Sequence, residues 1–163
     1  MEPKRILFVC TGNSCRSVMA QGLLQHRLKQ LQHRLKRPVE VESAGLFALG
    51  GMPPSRDTLT MLQRDGIDMS SHMAQSVTQD MVRAADLILV MEWMHMEELV
   101  RRHPEAKGNV KLLKAFGVPD GQSIGDPVIV DPIGKPPEVY EACYATIRDA
   151  VERVAQAIVE ETI

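Results

Sequence analysis

Apolar and polar positions follow two rhythms along this chain. Ile6-Leu7-Phe8-Val9 is a short continuous apolar run that ends in the turn signal Thr11-Gly12-Asn13. It predicts a strand over Arg5–Val9, buried on both faces and entering a loop. From Ser17 to about Lys36 the rhythm becomes helical. Met19, Leu23, Leu24, Leu28, Leu31 and Leu35 share one face. The segment carries a repeat, Leu24-Gln-His-Arg-Leu-Lys-Gln followed by Leu31-Gln-His-Arg-Leu-Lys-Arg. Seven residues are close to two turns, so the duplication keeps the same face inward. A basic face for nucleic acid or a coiled-coil partner is the sharper reading of this repeat. Two heptads are too few to support it, and a duplicated surface helix is the plainer account.

Val39 to Ser43 alternates and predicts a second strand. Pro53 and Pro54 are expected to open a helix running to Arg64 and closed by Gly66. Ala85 to Met91 predicts another buried strand, followed by a helix that stops near Pro104, and Asn109 to Leu113 a short fourth strand. Gly, Pro and Asp crowd Val118 to Val130, which predicts a long loop. Glu138 to Ile158 predicts a last amphipathic helix with Val139, Ala142, Ile147, Val151, Val154 and Ile158 inward. Alternating strands and helices with non-alternating, β-branched strands predict an α/β fold. Its parallel sheet would have helices on both faces, in a single domain over 1–163.

Composition narrows the function classes. A formal net charge of −2 gives no general case for nucleic acid or a membrane surface as partner. The N-terminal apolar run is too short for a signal peptide, and no segment approaches a membrane span of about 20 residues. The three cysteines, Cys10, Cys15 and Cys143, are odd in number and lack zinc-ligand spacing. A reduced, cytoplasmic setting is therefore expected, and neither a metal nor a cofactor is called for.

The chemistry concentrates in Cys10-Thr11-Gly12-Asn13-Ser14-Cys15-Arg16-Ser17, between the first strand and the first helix. A helix N-terminus offers unpaired N–H groups and a positive dipole end, and a tight loop with Gly and Asn can curl further N–H groups around one anion. The expected ligand is a phosphate-like group. Cys10 opens the loop and Arg16 closes it, which brings thiol and guanidinium to one phosphorus. A guanidinium grips two oxygens at once. Loop amides, dipole and Arg16 favour a thiolate at Cys10, and Ser17 is placed to donate to its sulfur. In-line attack, a cysteinyl-phosphate and hydrolysis follow as the expected reaction. The same residues also allow a plainer account, a buried Cys at a strand end and an Arg in a first helical turn. A Walker-type nucleotide loop is excluded, because no Gly-Lys-Ser/Thr follows.

The loop, followed by Met19-Ala20, resembles the low-molecular-weight protein tyrosine phosphatase family. The similarity continues through Ser43-Ala44-Gly45, His72, Ala85 to Met91 and Asp131-Pro132. Val18 stands where many members have Pro. The resemblance implies a four-stranded parallel sheet flanked by helices, with the phosphate-binding loop after the first strand. It also implies a phosphorylated protein as substrate.

A leaving group needs a proton. Asp126-Pro127 and Asp131-Pro132 compete for that role, and either Asp has the sequence of an ordinary turn. The resemblance selects Asp131, since Gly134 and the helix from Glu138 follow it as in the family. The acid must hold its proton beside a thiolate and a phosphate dianion, so activity is expected to centre on mildly acid pH.

Three substrates share this loop: phosphotyrosine, phosphoarginine (a bacterial branch of the family) and arsenate reduced through thioredoxin. The last needs further cysteines in mid-chain, and Leu89 to Met96 contains none. Tyrosine phosphatases of the family carry a large apolar residue at the position of Ser14 and aromatics after the Asp-Pro, where this chain has Ile133. A hydroxyl suits a guanidinium, whereas a phenyl ring prefers apolar walls. Phosphoarginine is therefore favoured, with Phe47 expected to cover one side of the substrate. The resemblance gives His72 the task of steadying the loop through Asn13. Cys15 is a candidate redox partner of Cys10. His26, His33, His95 and His103 are read as solvated or partly packed, and Trp93 as a packing residue. A module that only binds phosphorylated partners is the rival outside enzymology.

Overall fold

A computed structural model describes all residues from Met1 to Ile163. Four parallel strands form one sheet in the order β2-β1-β3-β4. They are β1 (Lys4–Cys10), β2 (Val39–Gly45), β3 (Leu87–Val90) and β4 (Val110–Leu112). β1 lies between β2 and β3, pairing Ile6 with Val41 on one side and with Leu87 on the other. A central strand is covered on both faces, which is why its apolar run is unbroken. Ile6 and Phe8 join the core under α1 (Arg16–Gln30) and α5 (Pro137–Val159). Leu7 and Val9 join a second core with Val82 of α3 (Gln79–Ala84) and Leu99 of α4 (Trp93–Arg102). α2 (Arg56–Arg64) adds Met61 and Leu62 to the first core.

Several expectations are corrected. The first helix ends at Gln30, not near Lys36, and Gln32–Arg34 form only a 3-10 turn. Fifteen helical residues span about 22 Å and the seven of β1 about 23 Å, so the helix has then recrossed the sheet. The chain must turn there to set Val39 beside Lys4. The second copy of the repeat thus lies beyond the helix and cannot extend its face. The short α3 was not expected. α2 begins at Arg56, capped by Ser55 Oγ, which accepts from the Thr58 N–H. In α5 the inward face starts with Tyr140, Cys143 and Tyr144, while Ala142 is exposed and Val139 only half-buried. Ile147, Val151, Val154 and Ile158 face inward as expected.

The sheet's C-terminal edge brings two chain turns to one place. Leu46 N–H donates to the Cys10 carbonyl and Phe47 N–H to the Thr11 carbonyl, so the segment after β2 lies against the loop after β1. Gly45 makes this approach possible. A Cβ there would stand 2.6 Å from the Thr11 carbonyl oxygen and 3.0 Å from the Asn13 nitrogen, both backbone atoms that cannot swing aside. Gly45→Ala should cost about 1–3 kcal/mol, the usual range for overpacking. Gly50→Ala, with nothing within 4 Å of the added atom, should not. Urea denaturation of both variants checks this, and equal midpoints would count against the close approach.

Candidate active site

Cys10 is the last residue of β1 and Arg16 the first of α1. No side chain caps α1, and its first turn holds no acidic residue, so its N–H groups are left for an anion. Thr11 to Cys15 make the turn between them. Cys10 Sγ lies 2.9 Å from Ser17 Oγ. Asn13 takes the left-handed conformation, φ 54°, and is fully buried. Its Nδ2 donates to Ser17 Oγ at 2.8 Å and to Ser43 Oγ at 2.9 Å. Its Oδ1 accepts from the Gln75 N–H at 3.0 Å and pairs with His72 Nε2 at 3.1 Å. His72 therefore meets Asn13 as expected.

The Arg16 guanidinium is buried beneath the loop, 2 % exposed. Nη1 donates to Glu92 Oε2 at 2.6 Å and to the Ile129 carbonyl at 2.7 Å. Nη2 lies 3.4 Å from Thr11 Oγ1 and 3.9 Å from Asp131 Oδ2. Asp131 reaches this position because buried Ile129, two residues earlier, donates its N–H to the Met91 carbonyl at the end of β3. Asp131 itself sets a turn, its Oδ1 accepting from Ile133 N–H at 3.1 Å. The Asp126 carboxylate also sets a local turn, accepting from Val128 N–H, but it has no contact to Arg16. Thiol and guanidinium thus come from the two ends of one loop and the carboxylate from a second, distant turn, with the loop amides between thiol and guanidinium.

The low molecular weight phosphotyrosine protein phosphatase family matches residues 5–162. The chain belongs to that family. It is similar to a protein-arginine-phosphatase of Geobacillus stearothermophilus, 38% identical over 98% of this chain and 99% of the relative. It is also similar to the low molecular weight protein-tyrosine-phosphatase Wzb of Escherichia coli K12, 34% identical over 97% of both. The solved YwlE arginine phosphatase from Geobacillus stearothermophilus superposes with a TM-score of 0.84, over 98% of this chain and 96% of that one. This is a cysteine-dependent protein phosphatase of the low-molecular-weight family.

Around the mouth of this phosphatase, Ser14 is half-buried and its hydroxyl makes no hydrogen bond within the chain. Phe47 is exposed, with the Arg102 guanidinium 4.8 Å over its ring. Arg102 also donates to the Leu46 carbonyl at 2.8 Å. Eight of the nine large exposed apolar side chains, all but Met1, belong to segments bonded around the loop: Phe47, Leu49 and Met52 after β2, Met73 beside His72, Trp93 and Met94 opening α4, and Val130 and Ile133 flanking Asp131. Trp93, expected as a packing residue, is 51% exposed among them. Patches of this kind mark contact surfaces for other macromolecules. Cys15 is buried, and burial pushes its thiol far above the ordinary range. That opposes a ready attacking thiolate at this position. No helix of the chain is long and apolar enough to cross a membrane.

Two residues of this site escaped the sequence reading, Glu92 and His95. His95 is fully buried rather than solvated or only partly packed. Its Nδ1 accepts from the Glu92 N–H at 3.1 Å, so its proton sits on Nε2, which donates to Thr11 Oγ1 at 2.9 Å. The only available signal was the spacing Glu92-x-x-His95 at a helix start.

Burial, reinforced by the Arg16 charge, pushes His95 down to about 4 from 6.5. Between those pH values the unfolded chain binds a proton that the folded chain refuses. Stability should be complete above pH 6.5, fall through this window by about 3 kcal/mol, and flatten below it. His95→Gln should remove most of that slope in urea denaturation followed against pH. An unchanged slope would show that the neutral imidazole is not its source.

Proposed function

We propose that this phosphatase acts through a cysteinyl-phosphate on Cys10 and that its favoured substrate is phosphoarginine in proteins. The observation that carries the reaction is the convergence of the Cys10 thiol, the buried Arg16 guanidinium and the Asp131 carboxyl on one loop of amides. Thr11 to Ser17 hold the phosphoryl oxygens through backbone N–H groups, and Arg16 adds its guanidinium. Glu92 and the Ile129 carbonyl occupy Nη1, leaving Nε and Nη2 as the edge for the substrate. Cys10 Sγ attacks phosphorus in line, and Asp131 gives its proton to the leaving nitrogen or oxygen as that bond breaks. The Asp131 carboxylate then takes a proton from water, whose oxygen attacks phosphorus. The S–P bond breaks, phosphate leaves, and the thiolate returns, with Ser17 Oγ beside it.

The substrate choice is supported by Ser14, whose unpaired hydroxyl suits a guanidinium, and by Ile133 where an aromatic would suit a phenyl ring. Phe47 adds an aromatic face, and its stack with Arg102 is a guanidinium–ring contact of the kind a substrate arginine would make. The near full-length similarity to a protein-arginine-phosphatase points the same way. The apolar rim suits a protein rather than a small metabolite as substrate.

Wild type should hydrolyse an aryl phosphate and Cys10→Ser should not. Turnover by neither would favour a phospho-group binding module. Asp131→Ala should slow substrates with poor leaving groups by about 10²–10⁴-fold, and good leaving groups far less. Equal slowing of both would reject Asp131 as the acid.

Peptides carrying phosphoarginine should exceed their phosphotyrosine counterparts in kcat/KM. Ser14→Ile should shift that ratio towards phosphotyrosine by roughly tenfold, the worth of one hydrogen bond. A wild-type preference for phosphotyrosine would sink the substrate assignment and leave the reaction intact.

A further inference from the structure

We infer that His95 is a positioning residue of this reaction, holding Thr11 Oγ1 and through it the Arg16 edge that meets the phosphoryl group. The inference rests on the proposed role of Arg16. At the third position of a helix, a capping-box residue need only accept the N–H of the cap, and Glu or Gln commonly does so. His95 performs that task with Nδ1, on Glu92. A glutamate there would have no proton to give at its other end. The imidazole has one, and Nε2 donates it to Thr11, the residue next to Cys10.

The consequences follow from counting donors. Thr11 Oγ1 receives His95 Nε2–H at 2.9 Å and faces Arg16 Nη2 at 3.4 Å. With both lone pairs approached, its own hydroxyl proton must point elsewhere and is free to donate to the anion held by the loop. Meanwhile Glu92, whose backbone N–H is fixed by His95, grips Arg16 Nη1 with its carboxylate at 2.6 Å. One buried ring therefore fixes two neighbours of the guanidinium from one point, the hydroxyl on Nη2 and the carboxylate on Nη1. His95 touches neither substrate nor sulfur, and it acts by keeping the bidentate edge of Arg16 turned to the loop. A ring that is fully buried and bonded at both nitrogens has little freedom to do otherwise.

Two isosteres separate the two ends of the ring. Asn can keep the acceptor near the Nδ1 position but cannot reach Thr11, whereas Gln can place a donor near Nε2. His95→Asn should lower kcat/KM on an aryl phosphate by roughly tenfold and weaken competitive inhibition by inorganic phosphate by a similar factor, one hydrogen bond's worth. His95→Gln should stay within about threefold of wild type, because the bond to Thr11 is kept. Thr11→Val combined with His95→Asn should be no slower than Thr11→Val alone, since both remove the same contact. A wild-type His95→Asn, equal losses for Asn and Gln, or fully additive losses in the double variant would each overturn the inference. Calorimetric titration of wild type and His95→Asn with inorganic phosphate keeps the test separate from catalysis. If the wild type hydrolyses nothing, the phosphatase mechanism fails, while an unweakened phosphate affinity in His95→Asn would still count against His95.

Discussion

The buried carboxamide of Asn13 is the constraint on which the site depends. A loop of successive amides can face one anion only if the chain turns sharply between β1 and α1, and Asn13 makes that turn in the left-handed region. The conformation costs an L-residue about 1–2 kcal/mol, and Asn tolerates it better than most. Four hydrogen bonds, to Ser17, Ser43, His72 and Gln75, offset the cost at about 1 kcal/mol each. They also satisfy every donor and acceptor of a side chain with no access to water. The loop is thereby tied to β2 through Ser43 and to the segment beyond α2 through His72 and Gln75. Ser17, oriented by Asn13, stands in turn against the Cys10 sulfur.

A second anchor works from the opposite side. Asn13 holds the backbone of the loop, while Glu92, His95 and the Ile129 carbonyl hold the guanidinium beneath it. Both anchors depend on strand order. β1 is flanked by β2 and β3, so the turns that follow those strands necessarily flank the loop after β1. Ligand sites at the carboxyl ends of parallel strands arise for this reason. The segment that carries Asp131 attaches to the end of β3 through Ile129, which sets Asp131 near Arg16 although 115 residues separate them in the chain.

The proposed choice of substrate rests on the surroundings of the mouth. A polar, hydrogen-bonded floor around Asn13 and Arg16 lies among segments that carry most of the exposed apolar side chains. The floor suits the phosphoryl group whatever its bearer. Ser14 belongs to the loop itself, while Phe47 and Ile133 are exposed in segments beside it. The substrate proposal therefore turns on them, and the reaction does not.

Much of this was legible in the residues. The apolar run Ile6 to Val9 implied a strand buried on both faces, because only such a strand dispenses with alternation. Cys10 and Arg16 were legible because they are local: six positions apart on a curled loop, they meet whatever the rest of the chain does. Asp131 and His72 were singled out through resemblance, since nothing near them in sequence sets one Asp-Pro apart from an ordinary turn. Tertiary structure decided the rest. The helix expected to reach Lys36 stops at Gln30 because the sheet is no longer than that, a limit set by partner strands and not by helical propensity. Ala142 and Cys143 differ by one position, and only packing against α1 settles which of them is buried. His95 read as a solvated or partly packed helix residue because a lone histidine carries no periodic signal. Its role depends on bonds to Glu92 and Thr11, and the second of these crosses from α4 to the loop after β1. The loop and the groups it brings together are local, so the order of residues specifies them. The fold decided which distant groups hold that chemistry in place, because those contacts exist only once the strands lie side by side.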